Sequence, residues 1–408
     1  MRRVALALAV LAASRQLGAQ ERIIGATTAA SGVVVENWSL STPIEVAEPN
    51  GSPMTVRGVT QLTVPLGAVV PIGAGWSADV YGAYATTRVR LARPTEDGST
   101  GFALDGLTDA RVRLIGRLAD RALTVTLGVD APAGRTKLTS DQLTALSVTA
   151  SPALQLRTPG LGGGGGATAG LLAAPHLGSW VAALGASYEY RAGYSPTAAL
   201  ESGLATGSLR PGGVLHVTAG AARASGAFRH TIDVTADVTA RGSLRLSPGG
   251  GDPAERFDLA AAPTYSALYQ LDAVSTRDVT SAFVVARRRG QLTVAGDVYP
   301  GSARDEIDAG VQVVHTRSPH DALRLAIDGR YQTVSEESAV DAAAGGPSPF
   351  AASGVGALGA TLAWRFQRSA PRLAVEPFAR VQAARLRTDE ASYPVTGVSG
   401  GVTVDVRF

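Results

Sequence analysis

FRHTIDVTADVTARGSLRLS, residues 228–247, sorts its side chains by parity. Phe228, Ile232, Val234, Ala236, Val238, Ala240, Gly242, Leu244 and Leu246 occupy even positions, with His230 as the exception. Arg229, Thr231, Asp233, Thr235, Asp237, Thr239, Arg241, Ser243, Arg245 and Ser247 occupy the odd ones. Period-two alternation places the two sets on opposite faces of a strand. Sandwich strands usually run about five or six residues, whereas an alternation of this length spans roughly 65 Å at ~3.3 Å per residue. Tilted by ~45° it still rises about 45 Å, beyond the ~25 Å apolar band of an outer membrane. In hydrocarbon every backbone N–H and C=O needs a partner, so a spanning sheet must close on itself. The even face then meets lipid and the odd face an aqueous lumen.

The same parity recurs along the chain. Leu123, Val125, Leu127 and Val129 oppose Thr124, Thr126 and Asp130; Trp180, Leu184, Tyr188 and Tyr190 oppose Ser187, Glu189 and Arg191. Leu323, Leu325, Ile327 and Tyr331 oppose Arg324, Asp328 and Arg330. Tight turns are expected at 119–121, 177–179, 223–226, 288–291, 318–321 and 369–372, and longer connections at 92–105, 131–141, 192–213, 335–353 and 387–394. Short and long connections in alternation describe an antiparallel up-and-down transmembrane β-barrel in an all-β chain. At roughly 25 residues per strand and connection, about 14 strands are expected, with 12 to 16 open. Segment 255–298 divides in more than one way. Only SDQLTALSV, 140–148, reads as helical, with Ser140 as its cap.

MRRVALALAVLAASRQLGAQ has the layout of a secretory signal peptide, cleaved after Ala19. The expected organisation is therefore a signal at 1–19, a short periplasmic segment at 20–32 and a barrel at 33–408. With no Cys, the chain has no thiol chemistry. A net charge of +3 without basic blocks argues against a nucleic-acid partner. The last strand, VTVDVRF, stops on Phe408 and resembles the terminal strand of bacterial outer-membrane proteins, the insertion signal of that class. This sets the expected location, the bacterial outer membrane, and the expected partners: its lipids, the barrel-insertion machinery and a small-molecule solute. Aromatic content is low, at 5%, for a fold that carries Trp/Tyr girdles.

Candidate chemistry is sparse. Gly160 to Gly165 match GxGxxG but lack the strand, helix and acidic residue of a dinucleotide site, so a hairpin connection is expected. His176, His216, His230, His315 and His320 have no metal spacing, and His230 falls on the lipid parity, at a rim. Asp305-Glu306-Ile307-Asp308 reads as a solvated loop, with calcium as the lesser alternative. Ser318, His320 and Asp321 are turn formers rather than a catalytic set. No catalytic residue, metal or cofactor is expected. The lumen parity gives Arg111, Arg113, Glu189, Arg229, Asp233, Asp237, Arg241, Arg324, Asp328 and Arg330 as candidate solute-facing residues, able either to brace the barrel or to line a path.

From about Gln61 to Pro196 the order of pieces resembles the long-chain fatty acid transporter superfamily and the related barrels of aromatic-degradation pathways. The pieces are Gly106-Leu107-Thr108-Asp109 entering RVRLIGRL, LGVDAPAGRTKLT at 127–139, LGASYEYRAGYSP at 184–196, and the GVSGGVTVDVRF ending. The resemblance implies a barrel of about 14 strands that passes hydrophobic small molecules by diffusion. That family's N-terminal hatch, with its Asn-Pro-Ala motif, has no counterpart between Gln20 and Val33, so fold and substrate class alone carry over. The expected function is a channel for small, hydrophobic or aromatic solutes; the alternative is a closed structural or adhesive barrel acting through its loops.

Overall fold

A computed structural model describes residues 27–47, 53–73, 75–95, 98–118, 122–151, 154–195, 206–247, 254–298, 302–334, 354–369, 372–387 and 391–408. The wall is one closed antiparallel sheet of sixteen strands. The first three are β1 (Thr28–Ala47), β2 (Pro53–Gly73) and β3 (Trp76–Leu91). β4 runs in two pieces, Gly101–Leu107 and Ala110–Leu118, and β5 is Leu123–Ala131. β6 joins Gly166–Ala173 to His176–Leu177, and β7 is Trp180–Arg191. β8 (Thr206–Arg210 and Val214–Ser225), β9 (Phe228–Thr239 and Gly242–Ser247) and β10 (Glu255–Ala261 and Thr264–Val274) follow, each in two pieces. β11 runs Asp278–Arg289 and Leu292–Val294, and β12 runs Asp297–Val298 and Arg304–Ser318. β13 (Asp321–Val334), β14 (Gly354–Ser369), β15 (Arg372–Arg387) and β16 (Ser392–Arg407) complete the wall. Pairing of Thr28 with Arg407 through Leu40 with Val395 closes the cylinder and leaves the wall no free edge there.

The expected count of about 14 is thus corrected to sixteen, the top of the expected range. The Ala- and Gly-rich strands β6 (GATAGLLA) and β8 (VLHVTAGAARAS) carry little contrast between faces, which is why they add nothing legible to a count by alternation. β1 also begins earlier than residue 33, because Ala29, Ser31 and Gly32 pair in register although they barely alternate in polarity. The expected signal at 1–19 lies outside the described residues.

Parity holds around the wall. Ile232, Val234 and Val238 of β9 are exposed on the outer surface, while Thr231 and Asp233 between them are buried on the inner one. Several of the outward-facing aromatics gather at two heights. Near the short turns lie Trp180, Phe228, Trp364 and Phe366, with Trp364 stacked on Phe366 at 5.5 Å. Arg223 lies over Trp180 and Arg317 over Trp364, so each indole carries a cation. Trp76 lies against Gly116 at the same level. Tyr188, Tyr190, Tyr265 and Tyr331 form the other level. From Trp180 to Tyr190 the tilted strand rises about 25 Å, the height of an apolar transmembrane band. His230 sits near the lower turn, hydrogen-bonded to Tyr269 at 3.0 Å, a rim position as its parity implied.

Residues 228–247 form two strand pieces, Phe228–Thr239 in the wall and Gly242–Ser247 beyond a break at Ala240 and Arg241, so the expected single long strand is interrupted. Matching interruptions at 211–213, 262–263 and 290–291 bend β8 to β11 together, and the pieces beyond form a separate five-stranded sheet above the band. Gly212 and Gly290 sit where backbones of neighbouring strands close in, so that a Cβ would overlap Ala240 or Ala262. The expected turn at 288–291 is one of these bends; the chain turns instead at Ala295-Gly296, where both φ angles are positive. Asp305 to Asp308 is likewise no loop: it opens the long piece of β12.

Candidate functional site

The inner face is lined by charged pairs. Arg113 donates to both oxygens of Asp79 (2.7 to 3.1 Å), and Arg111 reaches Asp130 at 2.6 Å. Arg330 bonds Asp308 at 2.7 Å and Glu306 at 3.2 Å, and Arg287 shares Glu306 at 3.0 Å. Arg380 extends across Gly359, where a side chain would block it, to bond Asp328 through both nitrogens (2.5 and 2.7 Å). Arg324 bonds Glu376 in the same manner across β14. His216 lies between Asp237 (2.7 Å) and Glu189 (3.6 Å). Each of these pairs joins strands that are adjacent or separated by one, so the charges run round the wall rather than across the lumen.

Among the described residues, one segment enters the lumen. Between β5 and β6 the chain forms helix α1 (Ser140–Thr149), capped by Thr139, whose hydroxyl accepts from Gln142 N–H while the Gln142 side chain accepts from Thr139 N–H. The helix was legible at 140–148; its cap is Thr139, one residue earlier than Ser140. Ala145 and Val148 of α1, with Leu138, Leu154, Leu156 and Leu161, pack on inward side chains of the wall: Trp38, Val89, Phe102, Leu104, Leu386 and Val395. Polar ties fix the segment beside this core. Gln61, fully buried, donates to Thr158 O (2.8 Å) and accepts from Thr158 N–H (3.2 Å), imitating a strand partner. Arg157 N–H donates to Glu36 (3.2 Å), and its guanidinium lies over Phe378.

Asp109, in the gap between the two pieces of β4, clamps both legs of this loop. Its carboxylate accepts from Gly134 N–H (2.9 Å) and Gly163 N–H (2.6 Å). The glycine run 160–165 belongs to the returning leg of this loop, as the expected connection between strands. A Cβ on Gly162 would stand 2.9 Å from the backbone of Gly134, so the run lets the outgoing and returning legs touch.

All but one of the sequence candidates lie on the inner wall, and they do not converge on one point. Arg324, Asp328 and Arg330 belong to the β12 to β15 ion-pair ladder, Arg111 and Arg113 to the β3 to β5 side, and Glu189 and Asp237 to the His216 bridge. Arg229 lies 3.7 Å from Asp272. Arg241 departs from the set: it sits exposed in the bend of β9. Among the described residues, Asp233 is reached by the Thr218 side chain alone. Sequence parity missed Gln61, Glu36, Asp109 and Arg157, because each acts on a loop whose entry into the lumen alternation does not encode.

No family model matches the chain, and no curated protein matches it in sequence. Among solved structures it is similar to a Pseudomonas aeruginosa FadL homologue, at 11% identity and a TM-score of 0.47, over 94% of this chain and 90% of that one. A deltaS2 mutant of the TodX monoaromatic hydrocarbon channel shares 12% identity at a TM-score of 0.45, over 94% and 90%. An anion-selective porin from Comamonas acidovorans shares 11% at 0.37, over 94% and 98%. All three scores lie below 0.5, so the functional reading rests on the barrel's own geometry.

Proposed function

We propose that this protein is an outer-membrane channel through which small, hydrophobic or aromatic solutes diffuse, its short turns facing the periplasm and its long loops the exterior. The observation that carries the reading is the layout of charge: the pairs brace neighbouring strands and leave the lumen axis to one infolded loop. That loop is anchored to β1 to β4 and β14 to β16, so it narrows the passage from one side. The facing wall presents small and hydroxyl-bearing residues inward, among them Thr126, Thr168, Gly170, Gly185, Ser187, Thr218 and Gly220. Such a path favours compact solutes with little hydration to shed.

The test is liposome swelling with purified protein in vesicles containing small sugars or phenols. Wild type is expected to admit the smallest solutes. Replacing residues 141–157 by a short Gly-Ser bridge should raise the rate several-fold and extend it to larger ones. No uptake through either protein would overturn the reading and favour a barrel that acts through its loops.

A further inference from the structure

Asp233 differs from the ion-paired acids of the inner wall. Asp79, Asp130, Asp308, Asp328, Glu306 and Glu376 each have an Arg partner. Asp237 has His216. Asp233 is only 4% exposed, and no Arg, Lys or His side chain reaches it among the described residues. Its one side-chain partner is Thr218 Oγ1, at 3.3 and 3.5 Å. Two residues along the same inward face, Thr231 is 7% exposed and its hydroxyl has no hydrogen-bond partner. A buried carboxylate without a cation and a buried hydroxyl without a partner are both costly, and native proteins seldom keep two side by side unless something else satisfies them.

The surroundings define what that would be. Asp233 pairs across the sheet with Gly220 on one side and Leu268 on the other, and Thr231 pairs with Ala222 and Gln270. A Cβ on Gly220 would stand 2.9 Å from Asp233 Oδ2, so glycine leaves room for the carboxylate beside β8. Gly185, opposite Thr218 on β7, extends the cleared strip. Acceptors thus concentrate in a wall of small and apolar side chains.

We propose that Asp233 and Thr231 form a lumen subsite for the ammonium group of a small organic amine, with the Asp233 carboxylate, steadied by Thr218, as counter-ion and the Thr231 hydroxyl as a further acceptor. This rests on the channel reading and adds a solute class to it: amines with a compact apolar body, which would rest against Leu268 and the glycine strip while the ammonium exchanges its hydration for the carboxylate. The two carboxylate oxygens of Asp233 and the Thr231 hydroxyl supply three acceptor atoms for the three N–H donors of a primary ammonium.

Isothermal titration of the detergent-solubilised barrel with n-butylammonium tests it without requiring conduction. Wild type should bind with a Kd in the millimolar range or tighter, while n-butanol and butyrate give no heat. Asp233→Asn should weaken binding at least tenfold. Gly220→Ala, which keeps the charge and crowds it, should weaken it several-fold and serves if the Asn variant fails to assemble. Absence of butylammonium heat in wild type, or unchanged affinity in both variants, overturns the proposal. Swelling assays separate the two readings: uptake without binding removes the subsite alone, and binding without uptake removes the channel alone.

Discussion

Above the apolar band the two halves of the wall behave oppositely. In β1 to β4 and β15 the alternation reverses sense. Asn37, Arg57, Arg88, Arg90, Arg385 and Arg387 face out, and Trp38, Val56, Val89, Leu91, Ala384 and Leu386 face in. That is the pattern of a water-exposed barrel with a packed interior, and α1 and its loop are what pack it. In β8 to β10 no such packed interior follows the bend. Leu209, Leu244, Leu246, Phe257 and Leu259 share one face of the separate sheet and Arg245, Arg256 and Asp258 the other, where the Arg256 and Asp258 side chains are 72% exposed. Where the reversal occurs, the loop fills the lumen. The phase of alternation, and not merely its presence, thus records what each height of the wall touches.

The comparison breaks most visibly at Trp38, which is 1% exposed and cradled by Gly397. Trp38→Ala should cost about 3 to 5 kcal/mol, by loss of burial and the cavity left behind. Denaturant unfolding in lipid vesicles, followed by heat-modifiable gel mobility, would measure it. An unchanged midpoint would mean that the infolded loop contributes nothing to the filled half. Next comes Arg330, at 13% side-chain exposure the most enclosed of the ion-paired arginines named above. Arg330→Ala takes the arginine from Asp308 and leaves Glu306 to Arg287 alone, and should destabilise by about 3 kcal/mol, since a poorly compensated buried charge dominates the loss. The smallest effect is expected at Arg111, whose side chain is 47% exposed. Arg111→Gln should change stability by less than about 1 kcal/mol, as solvent screens the Asp130 pair. Were the Arg111 and Arg330 losses equal, the distinction between an enclosed and a hydrated stretch of the inner wall would fall.

Much of this was legible in the chain. The parity of 228–247 placed Thr231 and Asp233 inward and Ile232 and Val234 outward, and Ser140 to Val148 was recognisable as a helix. Low aromatic content argued against girdles, yet few rings suffice when Trp180, Trp364 and Phe366 share one height and Tyr188, Tyr190 and Tyr331 the other. The clamp at Asp109 was not legible, because a carboxylate between two strand pieces looks like any turn residue until Gly134 and Gly163 are brought to it.

Sequence alone determined the cylinder and the assignment of its faces, since alternation is a property of neighbouring residues and needs no knowledge of distant ones. Tertiary structure alone decided which acids have partners, where the loop lies and that Asp233 stands without a cation. Those depend on strand register and on a connection folding back through the lumen. Both bring together residues as far apart as Glu36 and Arg157, and no local pattern encodes such a meeting.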